Sequence, residues 1–297
     1  MPGLELQGAA ALVTGASRGI GPHIAAALAE RGAKVAIAAR SEGELAVVAD
    51  ELKRQGATVV AIPADVASAS DRRALVEHTH RTLGGIDVLV NNAGGDAQRQ
   101  FHHLSEDELE AVLDLNLTAP LMLSRLVLVD MLERGCGHIV NVSAMAGRTG
   151  FPFTEAYAAA KDGLIGFTRV LRGDYRRQGV SASTLILGPI RDAGVGQRTA
   201  EEVGLKLPPK ALTASPEAVG RAAIRAIVRD RAEIVVLPRP GRTLRAVMDR
   251  FPGMGPAMNR LAGAEQTMLK VAEFRERDVR RLGHIAASKP HRSDGSC

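Results

Sequence analysis

Large rings are scarce in this chain, which has no Trp, two Tyr and six Phe in 297 residues. A core made without them must be filled by Ala, Val, Leu and Ile, which suits parallel strands covered on both faces. Cysteine is nearly absent too: Cys136 and Cys297 stand far apart, the second at the last position. Two such residues build neither a disulfide framework nor a metal-ligand set, so the expectation is no metal and a reducing, cytoplasmic setting. No basic segment followed by an apolar one opens the chain, so no signal peptide is read there. No uninterrupted apolar run reaches the roughly 18 residues of a membrane-spanning helix. Stacking aromatics are missing among the basic residues, which argues against a nucleic-acid reader.

What is present is apolar mass and unevenly placed charge. Hydrophobic residues make up 45% of the chain, enough for a core and against disorder. The net charge is +5, and it comes from one end. Residues 239–297 hold 12 Lys and Arg against 6 Asp and Glu, whereas residues 1–238 hold 26 against 27. Three parts follow: a body over 1–238, a basic amphipathic helical extension over 239–285, and a polar tail over 286–297 expected to be disordered.

Apolar runs at 9–14, 34–39, 58–62, 86–90, 138–142, 180–187 and 233–237 read as strands. Helical stretches separate them. This alternation predicts an α/β fold, a doubly wound parallel sheet of about seven strands with helices on both faces. Ligands of such sheets sit at the carboxyl ends of the strands. Gly15, Arg40, Asp65, Asn91, Ser143 and Gly188 each stand at or just past a predicted strand end.

The first strand runs into Thr14-Gly15-Ala16-Ser17-Arg18-Gly19-Ile20-Gly21 and then an Ala/Leu-rich helix. A strand, a glycine turn and a helix start make an anion site, because the helix N-terminus offers free N–H groups and the glycines admit a diphosphate to the backbone. After the second strand, Ala38-Ala39-Arg40 lacks the acid that would hold ribose hydroxyls. Arg40 and Arg18 suit a 2′-phosphate instead, so NADP(H) is expected over NAD(H).

Tyr157 and Lys161 lie four apart on a helix read from Glu155 to Gly173, so they share a face. A free tyrosine titrates near pH ~10, too high for proton exchange at neutrality. A nearby ammonium favours the phenolate and lowers that value, which would make Tyr157 a general acid and base.

With these residues in hand, the chain resembles the short-chain dehydrogenase/reductase family, in its single-domain, Rossmann-type branch, over roughly residues 5–238. The glycine turn, Asp65-Val66, Asn91-Asn92-Ala93-Gly94, Asn116, Ser143 and the Tyr157/Lys161 pair stand in the family's order and spacing. The resemblance implies that Gly15, Gly19 and Gly21, with Ser17, Arg18 and Ile20 between them, cradle the cofactor diphosphate. It implies Asp65 on the adenine with Val66 beside it, Asn91 on the adenosine-side ribose, and Ala93-Gly94 along the cofactor. Tyr157 would exchange a proton with a carbonyl oxygen, Lys161 would lower its pKa and hold the nicotinamide ribose, and Ser143 would align the substrate oxygen. Asn116 would fix a water that links Lys161 to solvent.

One turn departs from the family pattern. Gly188 and Ile190 match, but Leu187 stands where Pro is usual and Asp192 where Thr is usual, so backbone groups of Ile190 would have to anchor the carboxamide. Residues 191–212 read as a mobile lid. Its Val195, Val203, Leu205 and Leu207, with Met145, Phe151 and Phe153, would line an apolar substrate side, with Arg148 nearby.

In the extension, Leu244, Val247, Met248 and Phe251 mark one apolar helical face, and a second helix is expected over 257–282 with Met258, Leu261, Met268, Leu269 and Ala272. Two fates fit a basic amphipathic helix: docking on the body or a second subunit, and peripheral contact with an anionic membrane.

The reading is an NADP(H)-dependent oxidoreductase that interconverts a carbonyl and an alcohol on a small lipophilic substrate. The alternatives are a dinucleotide-binding redox sensor or scaffold, and an isomerase or epimerase on the same fold. Helices at 105–133 and 154–178 are of the kind that the family pairs into homodimers or homotetramers.

Overall fold

Seven short apolar strands line up in a single parallel sheet, ordered β3-β2-β1-β4-β5-β6-β7. They are β1 Ala10–Thr14, β2 Lys34–Ala39, β3 Val59–Pro63, β4 Val88–Asn91, β5 Gly137–Ala144, β6 Val180–Leu187 and β7 Glu233–Val236. The computed structural model describes residues 3–205, 209–238, 253–261 and 263–287. Each strand matches a predicted apolar run within three residues at either end.

The strand order reverses between β1 and β4, which opens a crevice at their carboxyl ends. Helices α1 Gly21–Ala29, α2 Glu42–Arg54, α3 Ala69–Leu83, α4 Glu106–Leu113 and α5 Ala119–Arg134 alternate with the first five strands. They are followed by a short α6 Ala146–Thr149, then α7 Glu155–Tyr175, α8 Gly194–Val203 and α9 Pro216–Val228. Two apolar cores result, one on each face of the sheet. Val13, Ile24, Leu28, Ile37 and Val219 belong to the first, and Leu12, Leu75, Leu89, Leu123 and Ile139 to the second. Every one of these ten is at most 1% exposed, and each such burial contributes about 1.5–3 kcal/mol.

Helices α4 and α5 are joined by a π-helical turn, Asp114–Thr118, into one stretch from Glu106 to Arg134. By length and composition this stretch could cross a membrane, although the sequence holds no unbroken apolar run of that length. Its hydropathy comes from two faces. Ala119, Leu123, Val127 and Met131 are buried against the body, while Met122 and Val129 lie exposed on the outer side.

The stretch 191–212, read from the sequence as a mobile lid, is partly helical. It contains α8, because Thr199 to Val203 are helix-compatible residues closed by Gly204 in the left-handed region at φ 70°. The extension differs from its expected form. Instead of one helix over 257–282 there are two, α10 Met254–Leu261 and α11 Ala264–Ala287, broken at Gly263 with φ 69°. Met268, Val271 and Ala272 are buried, while Leu261 is 90% exposed. Three apolar side chains of α11 are thus covered by protein, while Leu269 and Val279 on the same helix remain exposed. Ala286 and Ala287 belong to α11, not to a disordered tail. The expected face at 244–251, Leu207 and the remainder of the tail lie outside the described residues, as do the side chains of Val195 and Met258.

Candidate active site

The glycine turn joins β1 to α1 and sits at the reversal of strand order. Gly15 has φ 65° and Gly19 φ 70°, a region that L side chains avoid. A Cβ on Gly21 would fall 2.3 Å from the Gly15 carbonyl oxygen, so only glycine permits this closeness. Helix α1 has no side-chain cap, and Ile20 occupies the capping position. With no side chain capping it, this helix start leaves its free N–H groups to a ligand, which fits a diphosphate. Ser17 lies within this turn, half-buried, and Arg18 is exposed with its guanidinium 3.8 Å from Glu44. Arg40 is exposed at the end of β2 and has no ion-pair partner among the described residues.

Asp65 closes the loop after β3, its carboxylate accepting from the Ala67 N–H at 3.0 Å while Val66 is buried beside it. Asn91 behaves differently from its expected role on a ribose. It is 2% exposed, and its amide donates to Asn141 at 2.8 Å and Ser124 at 3.2 Å inside the body. Any contact with a ribose then falls to its main chain. The residue that ties the rim together is Asn92, which the sequence reading named in its motif without giving it a role. Its amide donates to the carbonyls of Thr14 (2.9 Å) and Gly15 (3.0 Å), tying β4 to the glycine turn. Thr14 completes the tie, its hydroxyl accepting from the N–H groups of Asn92 and Ala93.

The chemical residues gather around Gly94. A Cβ there would come 2.9 Å from Asn116 Oδ1 and 3.3 Å from Lys161 Nζ. Asn116 is fully buried in the π-helical turn. Its amide donates to Gly95 O (2.7 Å) and Val112 O (2.8 Å), so its side chain fixes the Gly95 backbone. Lys161 is buried, donates to the Val142 carbonyl at 3.0 Å, and sits 5.6 Å from the centre of the Tyr157 ring. Ser143, next to last in β5, donates its hydroxyl to the Lys161 carbonyl at 2.8 Å.

The electrostatics correct one expectation. Burial lowers the Lys161 ammonium to about 8, so it still carries its charge at neutrality but gives up its proton more readily than a free lysine. Burial pushes the Tyr157 phenol up rather than down, and the Asp96 carboxylate adds to that. Asp96 itself is raised to about 7 by burial, opposed by the N–H groups of Gln98 and Ala97 and assisted by the charge of Glu155. Asp96 follows Gly94-Gly95 directly, and an acid in that place was the signal that sequence reasoning missed.

On the far side of the crevice, Gly188 packs so tightly on Leu237 that a Cβ would overlap it at 2.0 Å. Ile190 forms an isolated parallel bridge with Ala214, in which Pro189 O and Arg191 N–H carry the bonds. The N–H and C=O of Ile190 therefore point the other way. Met145, Phe151 and Phe153, expected on the substrate side, follow Ser143 and are all half-buried, Phe153 with φ 57°. Arg148 nearby is held by Asp162 at 2.9 Å.

The glycine cradle, the uncapped helix and the polar cluster around Gly94 fit a nicotinamide dinucleotide, and comparison with known proteins agrees. The chain is 35% identical over 293 residues to the ketoacyl reductase HetN of Nostoc sp., an alignment that spans 97% of this chain and 99% of that one. It is 38% identical over 224 residues to a 3-oxoacyl-[acyl-carrier-protein] reductase of Synechocystis sp., covering 75% of this chain and 90% of the relative. Among solved structures, a metagenomic short-chain oxidoreductase in complex with NADP superposes with a TM-score of 0.66 at 29% identity, over 79% of this chain and 99% of that chain. A short-chain type dehydrogenase/reductase from Mycobacterium marinum gives a TM-score of 0.72 at 28% identity, over 78% and 95%. The family model for short chain dehydrogenases matches residues 9–203, and on these grounds the chain belongs to the short-chain dehydrogenase family of oxidoreductases.

Proposed function

We propose that the protein is an NADP(H)-dependent reductase of lipophilic ketones, with 3-oxoacyl thioesters as the substrate class. The observation that carries this reading is the meeting of Asn116 and Lys161 at Gly94, with Ser143 bonded to the Lys161 carbonyl and the Tyr157 ring beside the Lys161 ammonium, next to a glycine cradle flanked by Arg18 and Arg40. When bound, NADPH supplies the hydride. The diphosphate would lie on Gly15, Ser17, Gly19, Ile20 and Gly21, the 2′-phosphate between Arg18 and Arg40, and the adenine by Asp65 and Val66. Ala93 and Gly94 would run along the cofactor, and Ile190 would offer its backbone to the carboxamide. Similarity to ketoacyl and 3-oxoacyl reductases supports the substrate class, and the apolar Met145, Phe151 and Phe153 suit it.

In this reading Tyr157 keeps its proton, as its raised pKa demands, until a carbonyl oxygen takes it. Lys161 stands beside the phenol, replaces that proton and takes one back from solvent. Ser143 exchanges its bond to the Lys161 carbonyl for one to the substrate oxygen, which orients the carbonyl. Asn116 holds the Gly95 backbone so that the floor beneath Lys161 does not shift. The outer faces of α5, with Met122 and Val129, and of α7, with Val170, are where a second copy would dock.

The test is NADPH oxidation by wild-type and Tyr157→Phe protein on 3-oxoacyl thioesters and apolar ketones, with NADH alongside. Turnover that vanishes in the variant while NADPH still binds supports the reading. Tight NADPH binding with no turnover in either direction on any of them overturns it.

A further inference from the structure

The chain between Ser143 and Tyr157 is the link from β5 to α7, and α6 lies within it. It starts where β5 and β6 end, with the Met145 N–H donating to the Leu187 carbonyl at 2.8 Å. The link therefore stands at the carboxyl edge of the sheet, the same edge as the glycine cradle. The start of α6 is held by the body. The N–H groups of Arg148 and Thr149 donate to the Met145 carbonyl at 2.9 and 3.0 Å, and Arg148 pairs with Asp162 on α7. A Cβ on Gly147 would come 3.0 Å from the carbonyl oxygen of Ala158, the neighbour of Tyr157, so α6 lies directly on the first turns of α7.

The end of α6 is held by the extension. A helix leaves its last carbonyls without donors of its own. Asn259 on α10 supplies them, its amide donating to the carbonyls of Thr149 (3.2 Å) and Gly150 (3.1 Å). Neither carbonyl has another donor among the described residues. The approach is close: a Cβ on Gly255 would come 2.4 Å from the Thr149 carbonyl oxygen, and one on Gly150 would come 3.2 Å from Pro256.

Phe151, Pro152 and Phe153 follow, all half-buried, and Thr154 closes the turn by donating its hydroxyl to the Phe151 carbonyl at 2.8 Å. Phe153 holds a left-handed φ of 57°, which a non-glycine residue keeps only where its surroundings fix it. Ser143 and Lys161 need no such help, because each bonds to the other's segment within the body. Loss of the Asn259 bonds then frees the 150–153 turn and leaves the reacting groups where they are.

We propose that Asn259 is a positioning residue for the substrate: by closing the end of α6 it holds the apolar 150–153 turn against the carbon chain of a bound ketone. The inference rests on the ketone-reductase reading and deepens it. The extension contributes to substrate affinity through this turn, and the hydride and proton steps proceed without it.

The experiment uses the full chain with Asn259→Ala, Asn259→Asp and Asn259→Gln. The aspartate variant keeps the shape but has no N–H to donate, and the glutamine variant keeps the donors. Kinetics are read with saturating NADPH on a 3-oxoacyl thioester with an apolar chain. The alanine and aspartate variants should raise KM about fivefold with kcat unchanged, the sign of lost uniform binding. The NADPH Kd should not move, and Asn259→Gln should recover most of the wild-type KM, which a general loss of stability would not allow. In parallel, amide hydrogen exchange of residues 147–154 should quicken in the alanine and aspartate variants and stay near wild type in Asn259→Gln. Unchanged exchange in folded, NADPH-binding alanine and aspartate variants overturns the positioning role whether or not a substrate is turned over. Quickened exchange with an unchanged KM, or with the loss in kcat instead, overturns the role in substrate affinity. Failure of the wild-type protein on every ketone, with the exchange result intact, indicts the reductase reading instead.

Discussion

Ser143 and Lys161 lock each other's neighbourhoods. The serine hydroxyl donates to the lysine's own carbonyl at 2.8 Å, and the lysine ammonium donates back to the carbonyl of Val142, the residue before the serine, at 3.0 Å. The end of β5 and the first turns of α7 are thereby held as one unit before any ligand arrives. Ser143→Ala should cost about 1 kcal/mol in urea unfolding for the lost buried bond. It should also lower kcat about 10²-fold, because the substrate oxygen loses its orienting donor. An alanine variant with full kcat would remove Ser143 from the chemistry.

Lys161 contributes to the site at the expense of the fold. Its ammonium falls from the ordinary 10.5 to about 8 because burial penalises the charge. Between pH 8 and 10.5 the unfolded chain therefore binds the extra proton, and stability rises with pH across that window. Below pH 8 the full cost of the buried charge is present. Lys161→Met should raise the Tm of the cofactor-free protein at pH 7 by a few degrees, on the order of 1 kcal/mol, while abolishing turnover. A lower Tm would mean that the bond to Val142 outweighs the burial of the charge.

If Tyr157 exchanges the proton as proposed, Asp96 should bias the direction in which it works best. Burial raises its carboxyl to about 7, so it ionises across neutrality, and its charge then holds the nearby phenol up. A protonated phenol favours reduction over oxidation. Asp96→Asn removes that charge, so the rising limb of the pH profile for alcohol oxidation should move to lower pH by about one unit. A limb that stays in place would show that Asp96 is not felt at the phenol.

Much of this was legible in the sequence because it rests on short-range rules. Val180–Leu187 and Lys34–Ala39 are unbroken apolar runs with turn residues after them, and both strands appear at the predicted bounds. The glycine turn was readable because positive φ and a 2.3 Å approach leave no other residue type at Gly15 and Gly21. What escaped depends on distant partners. The phenol was expected to titrate low because Lys161 is one turn away, yet burial and Asp96, 61 positions earlier, prevail. Asn91 looked like a ligand group until Asn141 and Ser124 claimed its amide. The helix within 191–212 was not legible from composition, and its bond to Gln98, about 100 positions away, is another distant partner.

Cofactor choice should separate by arginine. Arg18 has Glu44 at 3.8 Å, whereas Arg40 has no acidic partner among the described residues. Arg40→Ala should therefore raise the KM for NADPH about 10-fold and leave that for NADH nearly unchanged, with Arg18→Ala weaker in effect. Equal losses with both cofactors would place Arg40 on the diphosphate instead.

Acid stability should trace to Asp230, far from the chemistry. Its carboxylate accepts from Arg172 at 2.6 Å, Arg176 at 2.7 Å and Ser181 at 2.5 Å, joining α7, β6 and the turn after α9. Burial pushes this carboxyl up, but the three donors prevail and hold it at about 2, below the ordinary 3.8. A depressed acid stabilises the fold above its unfolded pKa and loses that contribution as pH falls through its folded pKa. The shift corresponds to about 2 kcal/mol at neutral pH, fading between pH 4 and 2. Asp230→Asn should thus cost about 2 kcal/mol in urea at pH 7, and the gap to wild type should close as the pH is taken down to 2. A gap that persists unchanged at pH 2 would mean that Asp230 acts through packing and its φ of 46°, not through its charge.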